Sequence, residues 1–258
     1  MNGLDLFSGI GGITLALSEY VKPVAYCEND RYAQAVLLSR MSDGRLPRAP
    51  IWDDVTTLKG NMLPEIDVIY GGFPCQDISA AGKGIGLMAG ERSGLFFEIA
   101  RLVSETNPKF IFLENVPTIR TRGLNSVVQT FTELGYDCRW TIVSAAEVGA
   151  CHIRKRWFIL AHANGLNLRQ QSGGGERSHG AKATRVIRNK SEKRIDTTEL
   201  AEPCRYGRWT TKPSICRGTN GVQNRMDRIK CLGNSVVPLQ AKVAFEKLMG
   251  IKQIEGGE

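Results

Sequence analysis

The side chains best suited to chemistry in this sequence are a thiol, a carboxylate and two guanidiniums, each at the boundary of an apolar run. Cys75 sits within GGFPCQDIS (residues 71–79), after the run Asp67 to Tyr70, which reads as a buried strand delivering a cysteine onto the following loop. Gly71 and Gly72 free the backbone to turn and let a ligand approach, and Pro74 fixes φ and removes a donor just before the thiol. At the carboxyl edge of an open α/β sheet such a thiol is placed for nucleophilic attack. The competing reading is a small buried hydrophobe, the commoner state of a free cysteine. Glu114 follows the run Lys109 to Leu113 in the same way, so two strands of one sheet would bring Cys75 and Glu114 to one edge. Arg154 and Arg156 precede the strand Trp157 to His162 and point to the same face of an extended chain. They form an anion or carbonyl clamp, or else a solvated basic edge. His162, inside the apolar run, reads as a core histidine.

Strand and helix signals alternate in a way that can position these groups. Residues 4–7 read as a strand, Ser8 to Gly12 as a glycine turn and Ile13 to Tyr20 as a helix. This arrangement cradles an adenosine-type cofactor, because glycines allow close approach and a helix N-terminus offers unpaired N–H groups. The glycine spacing departs from G-x-G-x-x-G, which disfavours a nicotinamide dehydrogenase. Pro23 to Cys27 gives a second strand ending at Glu28, a partner for ribose hydroxyls or equally an acid facing water. A helix over Arg31 to Arg40 is capped by Asn29 or Asp30. Ile51 to Val55 supplies a third short element, and Tyr136 to Val143 another strand. Gly94 to Val103, Asn125 to Leu134 and Leu239 to Met249 read as helices, the last packing back onto the first domain. The rhythm predicts a mostly parallel sheet covered on both faces. Ser79 to Gly90, rich in Gly and Ala around Lys83, reads as a segment closing over a substrate or as a linker.

Charge is uneven. The chain of 258 residues carries 34 Lys and Arg against 26 Asp and Glu, and residues 165–230 hold 15 of the bases with only 6 of the acids. Such a block beside a near-neutral remainder fits a polyanion partner, or a solvated basic loop. Trp209 within this loop-rich stretch stacks on a base or, in the preferred reading, anchors a small core. The seven cysteines show no C-x-x-C pair, which argues for reduced thiols rather than a disulfide framework or zinc site. No metal is expected. Neither a secretory leader nor a run of eighteen apolar residues is present, so the expected compartment is the cytoplasm.

Taken together and in order, DLFSGIGG (5–12), GGFPCQDIS (71–79), ENV (114–116), RKR (154–156) and GNSVVP (233–238) resemble the DNA (cytosine-5)-methyltransferase family. The resemblance covers about residues 3 to 162 and 228 to 250. It implies an α/β fold: an S-adenosylmethionine-dependent, Rossmann-like sheet domain over residues 1–163 and 228–258, with a target-recognition lobe inserted at 164–227. It further implies that Phe7, Gly9, Ile10 and Gly11 line the cofactor site, Glu28 meets the ribose, Asp54 and Val55 meet the adenine, and Pro74, Leu95, Asn234 and Val236 close the pocket. Cys75 would attack C6 of cytosine, Glu114 would assist at N3, and Arg154 and Arg156 would hold the O2 edge of the base or the cysteine loop, which Asn115 supports. Gln76, Ser79 and Lys83 would brace the stack vacated by a flipped base. The implied partner is double-stranded DNA, with no membrane and no obligate protein partner.

Cys151-His152 stands where many members of that family carry Pro-Gln, which leaves one contact to the base open. Of the rival readings, a tRNA-modifying branch would carry a Cys-Phe-Thr tripeptide, which is absent here. A DNA-binding regulator without catalysis would not need Cys75, Glu114 and Arg154 together. The short lobe predicts a brief target or relaxed specificity, as in compact phage or mobile-element enzymes.

Overall fold

The computed structural model describes residues 1–74, 94–166 and 225–251. Within them, β1 (Asn2–Leu6), β2 (Lys22–Cys27), β3 (Ile51–Trp52), β4 (Val68–Gly72), β5 (Phe110–Asn115), β6 (Tyr136–Ser144) and β7 (Lys155–Ala163) join in one sheet. Their order is β3-β2-β1-β4-β5-β7-β6. The first five strands pair in parallel, and β7 enters between β5 and β6 antiparallel to both. The expected mostly parallel sheet is thus present, with a single reversed strand.

All six residues of β5 are buried, as expected of a central strand covered on both sides. Side-chain alternation divides the core. Ile69, Ile111, Leu113, Ile159 and Ala161 face one layer, with Phe96, Ile99 and Leu102 of α3 (Gly94–Thr106) and Val127 and Phe131 of α5 (Leu124–Glu133). Val68, Tyr70, Phe112, Phe158 and Leu160 face the other, with Ile13 and Ala16 of α1 (Gly12–Ala16) and Ala241, Phe245 and Leu248 of α7 (Pro238–Met249). There the Phe112 ring stacks on Phe158 at 5.7 Å and meets Phe245 edge-on at 5.2 Å. A smaller cluster, Tyr26, Leu37, Met41 and Leu46, seats α2 (Arg31–Ser42).

Helix ends follow their residue chemistry. Asp30 caps α2, its Oδ1 accepting from Tyr32 and Ala33 N–H. Pro238 begins α7, and Gly250, at φ 72°, ends it. The expected helix over Ile13 to Tyr20 stops at Ala16, because the chain turns back on Leu17 through Tyr20 and Val21 N–H bonds so that β2 can start at Lys22. Two helices were not expected from the sequence: the single turn α4 (Ile119–Arg122) and α6 (Arg225–Asn234). Cys151 is disulfide-bonded, a correction to the expectation of seven reduced thiols, since sequence spacing does not report which cysteines meet in space. Cys27, Cys138 and Cys231 are free. Among the described residues no helix is long and apolar enough to cross a membrane.

Asp5, 1% exposed, accepts from Thr14 Oγ1 at 2.6 Å, and that hydroxyl lies 2.8 Å from Tyr70 Oη. Burial pushes the Asp5 carboxyl from 3.8 to about 8; the Thr14 and Ser8 hydroxyls oppose the rise and the Glu28 charge adds to it. The folded state therefore favours the neutral acid. Its contribution to stability is full below the unfolded value of 3.8 and is lost as pH rises through about 8. Asp5→Asn is expected to flatten this dependence and raise Tm at pH 9 by at least about 3 °C. A Tm at or below that of the unsubstituted protein at that pH would show that the carboxyl does not resist ionisation.

Candidate active site

The parallel strands all release their chains at one edge, and the reversed β7 begins at that same edge. Glu114 pairs with Phe158 and Asn115 with Trp157 across the β5–β7 ladder, which sets Arg156 beside the end of β5. Gly72 pairs with Glu114 across β4–β5. A Cβ on Gly72 would stand 2.8 Å from Glu114 Oε2, so glycine here makes room for the carboxylate.

Glu114 is 8% exposed. Arg156 Nε lies 2.6 Å from its Oε1 as an ion pair, without an N–H aimed at that oxygen, which has no hydrogen bond in line. Burial pushes the carboxyl up from 4.5 to about 7, opposed by the charges of Arg156 and Arg154. A carboxyl poised there can hold or give a proton near neutrality. Asn115, also buried, donates from Nδ2 to Phe73 O at 3.1 Å and accepts the Val116 N–H at 2.8 Å. It thereby fixes the strand end two residues before Cys75. Pro74 is exposed at that end. Cys75, Gln76, Ser79 and Lys83 lie outside the described residues, as do the segment Ser79 to Gly90, Trp209 and residues 167–224 of the expected lobe.

The two arginines of the expected clamp have different partners. Arg156 takes Glu114, whereas Arg154 donates from Nη2 to Gly233 O and Ser235 O, each at 2.6 Å. Its guanidinium is held below its ordinary pKa by burial and by Arg156, with Glu114 acting the other way. Arg154 thus grips the segment carrying Asn234, and its buried Nε has no hydrogen-bond partner.

The residues expected to line a cofactor site gather along the neighbouring strand ends. Phe7, half-buried, takes a positive φ of 54° as the chain leaves β1. Glu28 Oε2 accepts from Gly9 N at 2.7 Å, and its Oε1 from Asp30 N at 2.8 Å. Ile10 O accepts from Arg40, and Gly11 caps α1 at φ 79°. Asp54 is exposed after β3, with its carboxylate accepting from Thr56 N and Oγ1, contacts that hold it below the usual carboxylate range. Val55 is buried in the core, while Leu95 is half-buried against it. Val236, buried, approaches Gly12 so closely that a Cβ there would stand 3.1 Å from Val236 Cγ1. Asn234 is exposed beside it. A Cβ on Gly9 would meet nothing within 4 Å, so the turn opens onto free space rimmed by Glu28.

Three supports escape a reading of the sequence motifs. Arg101 Nη2 donates to Val55 O and Leu58 O, fixing the loop after Asp54, while its other nitrogens take Glu98 and Glu105. The i,i+3 and i,i+4 acids around Arg101 were a legible hint of a helix-face network. Lys230 of α6 pairs with Asp30 at 2.5 Å, and Gln240 of α7 reaches the backbone of Arg154; neither spacing announces its partner.

A model of the family described as C-5 cytosine-specific DNA methylase matches residues 1–215. The type II methyltransferase M.CviJI of Paramecium bursaria Chlorella virus IL3A is 33% identical over 247 residues, which cover 95% of this chain and 58% of that protein. M.HhaI of Haemophilus parahaemolyticus is 35% identical over 170 residues, covering 64% and 50%. The chain therefore spans little more than half the length of these curated relatives. A solved structure from an E. coli prophage, assigned as a DNA modification methyltransferase, superposes with a TM-score of 0.54 at 28% identity, covering 66% of this chain and 49% of that one. With that match over most of its length, the chain belongs to the C-5 cytosine-specific DNA methylase family.

Proposed function

We propose that this protein methylates DNA, transferring a methyl group from S-adenosylmethionine to C5 of a cytosine flipped out of a short duplex target. The observation that carries this reading is the buried Glu114 carboxyl, raised to about 7 and paired with Arg156, at the edge where Asn115 fixes the chain entering Cys75. S-adenosylmethionine would be held between Gly9, Glu28 and Val236, with Glu28 for the ribose hydroxyls and the 54–55 turn for the adenine. S-adenosylmethionine, when bound, supplies an electrophilic methyl group.

Cytosine C5 is a poor nucleophile. The Cys75 thiolate adds to C6, and Glu114 gives N3 a proton, so the ring becomes an enamine whose C5 would form the new bond to the methyl carbon as that carbon's bond to the sulfonium sulfur breaks and S-adenosylhomocysteine leaves; N3 returns its proton to Glu114 when the aromatic ring is restored. Arg156 holds Glu114 in place for that exchange. A water or hydroxide then removes the C5 proton, the electron pair restores the C5–C6 double bond, and the Cys75–C6 bond breaks to release the thiolate. Since C5 and C6 are closed off within a stacked duplex, flipping is required, at a cost of roughly a few kcal/mol. Gln76, Ser79 and Lys83 brace the gap, and the basic block at 165–230 contacts phosphates.

Base-resolution mapping of 5-methylcytosine in DNA from cells expressing the chain tests the reading. New methylation at a short recurring sequence, absent with the Cys75→Ala form, is the expected result. Unmethylated DNA in the presence of folded protein that binds S-adenosylhomocysteine would remove DNA as the substrate.

A further inference from the structure

Gln240 has no accessible surface, an expensive place for a primary amide unless its polar atoms are matched. Its Nε2 donates to Val143 O and to Arg154 O, both at 2.6 Å, while Oε1 has no partner. These two carbonyls lie where the β6–β7 ladder runs out: Val143 faces Arg156, Ser144 faces Lys155, and Ala145 N then bonds to Arg154 O. The amide of α7 is thus wedged between the end of β6 and the residue that precedes β7. A leucine could fill the volume, but it could not set where Arg154 enters β7.

From that point the Arg154 guanidinium takes the carbonyls of Gly233 and Ser235, on either side of Asn234. The same segment is tied to the cofactor cradle at two further places, by Val236 on Gly12 and by Lys230 on Asp30, two residues after Glu28. We infer that Gln240 is a positioning residue for cofactor binding: it holds the Arg154 carbonyl, so that the guanidinium fixes residues 233–235 against the turn at Gly9 to Gly12. The inference rests on the proposed use of S-adenosylmethionine. It gives α7 a role in ligand affinity beyond covering the sheet.

Calorimetric titration of S-adenosylhomocysteine into the full chain tests this, using Gln240→Met, Arg154→Lys and the double variant. Gln240→Met keeps the length and apolar bulk and deletes both donors; Arg154→Lys keeps the charge and loses the two-carbonyl grip. Each single change is expected to weaken Kd by about tenfold, the usual consequence of unpairing buried groups. Because one residue acts through the other, the double variant should stay within about twofold of the weaker single one, whereas independent effects would multiply. A Kd for Gln240→Met within about twofold of the unsubstituted protein, or factors that multiply in the double variant, would overturn the inference and leave Gln240 as packing alone. Should Gln240→Met fail to fold, an unchanged Kd for Arg154→Lys overturns it by itself. Absence of S-adenosylhomocysteine binding by the unsubstituted chain would instead sink the methyltransferase reading, and the inference with it.

Discussion

Cys75→Ala is expected to lower methyl transfer by at least about 10⁴-fold, the scale seen when a covalent nucleophile is removed from a site whose other parts remain. The affinity for S-adenosylhomocysteine should stay within about twofold, because the residues around the cradle, Gly9, Glu28 and Val236, are held by contacts that do not involve the thiol. Single-turnover transfer from labelled cofactor to duplex DNA measures the first quantity, and calorimetry the second. Without attack at C6, C5 has no enamine to make it nucleophilic, and the remaining groups can only position the base. Residual transfer at more than a few per cent of the unsubstituted rate would mean that methylation proceeds without the covalent step.

The second large effect belongs to Glu114. Glu114→Gln keeps the shape of the side chain but removes its transferable proton, and should lower kcat by about 10²- to 10⁴-fold. The pH dependence gives a sharper reading. Burial raises the carboxyl of the free protein to about 7, so the protonated form is lost as pH rises through that value. The profile of kcat/KM should accordingly fall on its alkaline side with a midpoint near 7, since that ratio reports groups of the free enzyme. In Glu114→Gln this limb should disappear. Persistence of the same limb would assign it to another group and separate Glu114 from proton delivery. Arg156, half-buried and left without its carboxylate partner, predicts a lower Tm for this variant as well, through the loss of the ion pair.

Much of this architecture was legible because buried parallel strands announce themselves. The runs that become β4 and β5 are apolar on both faces, so the ends of these two strands, and Glu114 at the second of them, were legible at one edge from sequence. A cap at Asn29 or Asp30 was legible for a similar local reason, and Asp30 fills it, accepting the helix's first free N–H groups. The direction of β7 was not. Alternation places Arg154 and Arg156 on a common face but carries no sign for parallel or antiparallel, and it cannot tell which guanidinium meets a carboxylate and which a backbone carbonyl. Gln240 illustrates the same limit. On α7 it has an unremarkable helical spacing, and its burial depends on Val143 and Arg154, far away in sequence. The first helix fails differently, for apolar spacing continues past Ala16 while the return to β2 forces a turn.

Gly12 and Val236 press against each other although one belongs to the first helix and the other precedes the last. During synthesis the first partner emerges from the ribosome early and the second only after nearly all the described residues have been made. Strands β1 to β5 can begin to order as the nascent chain lengthens, since domains fold in step with emergence, but the pocket lacks its opposing wall until 233–236 are in place. Products terminated before that segment therefore carry Glu114 without the Val236 wall of the proposed cofactor site.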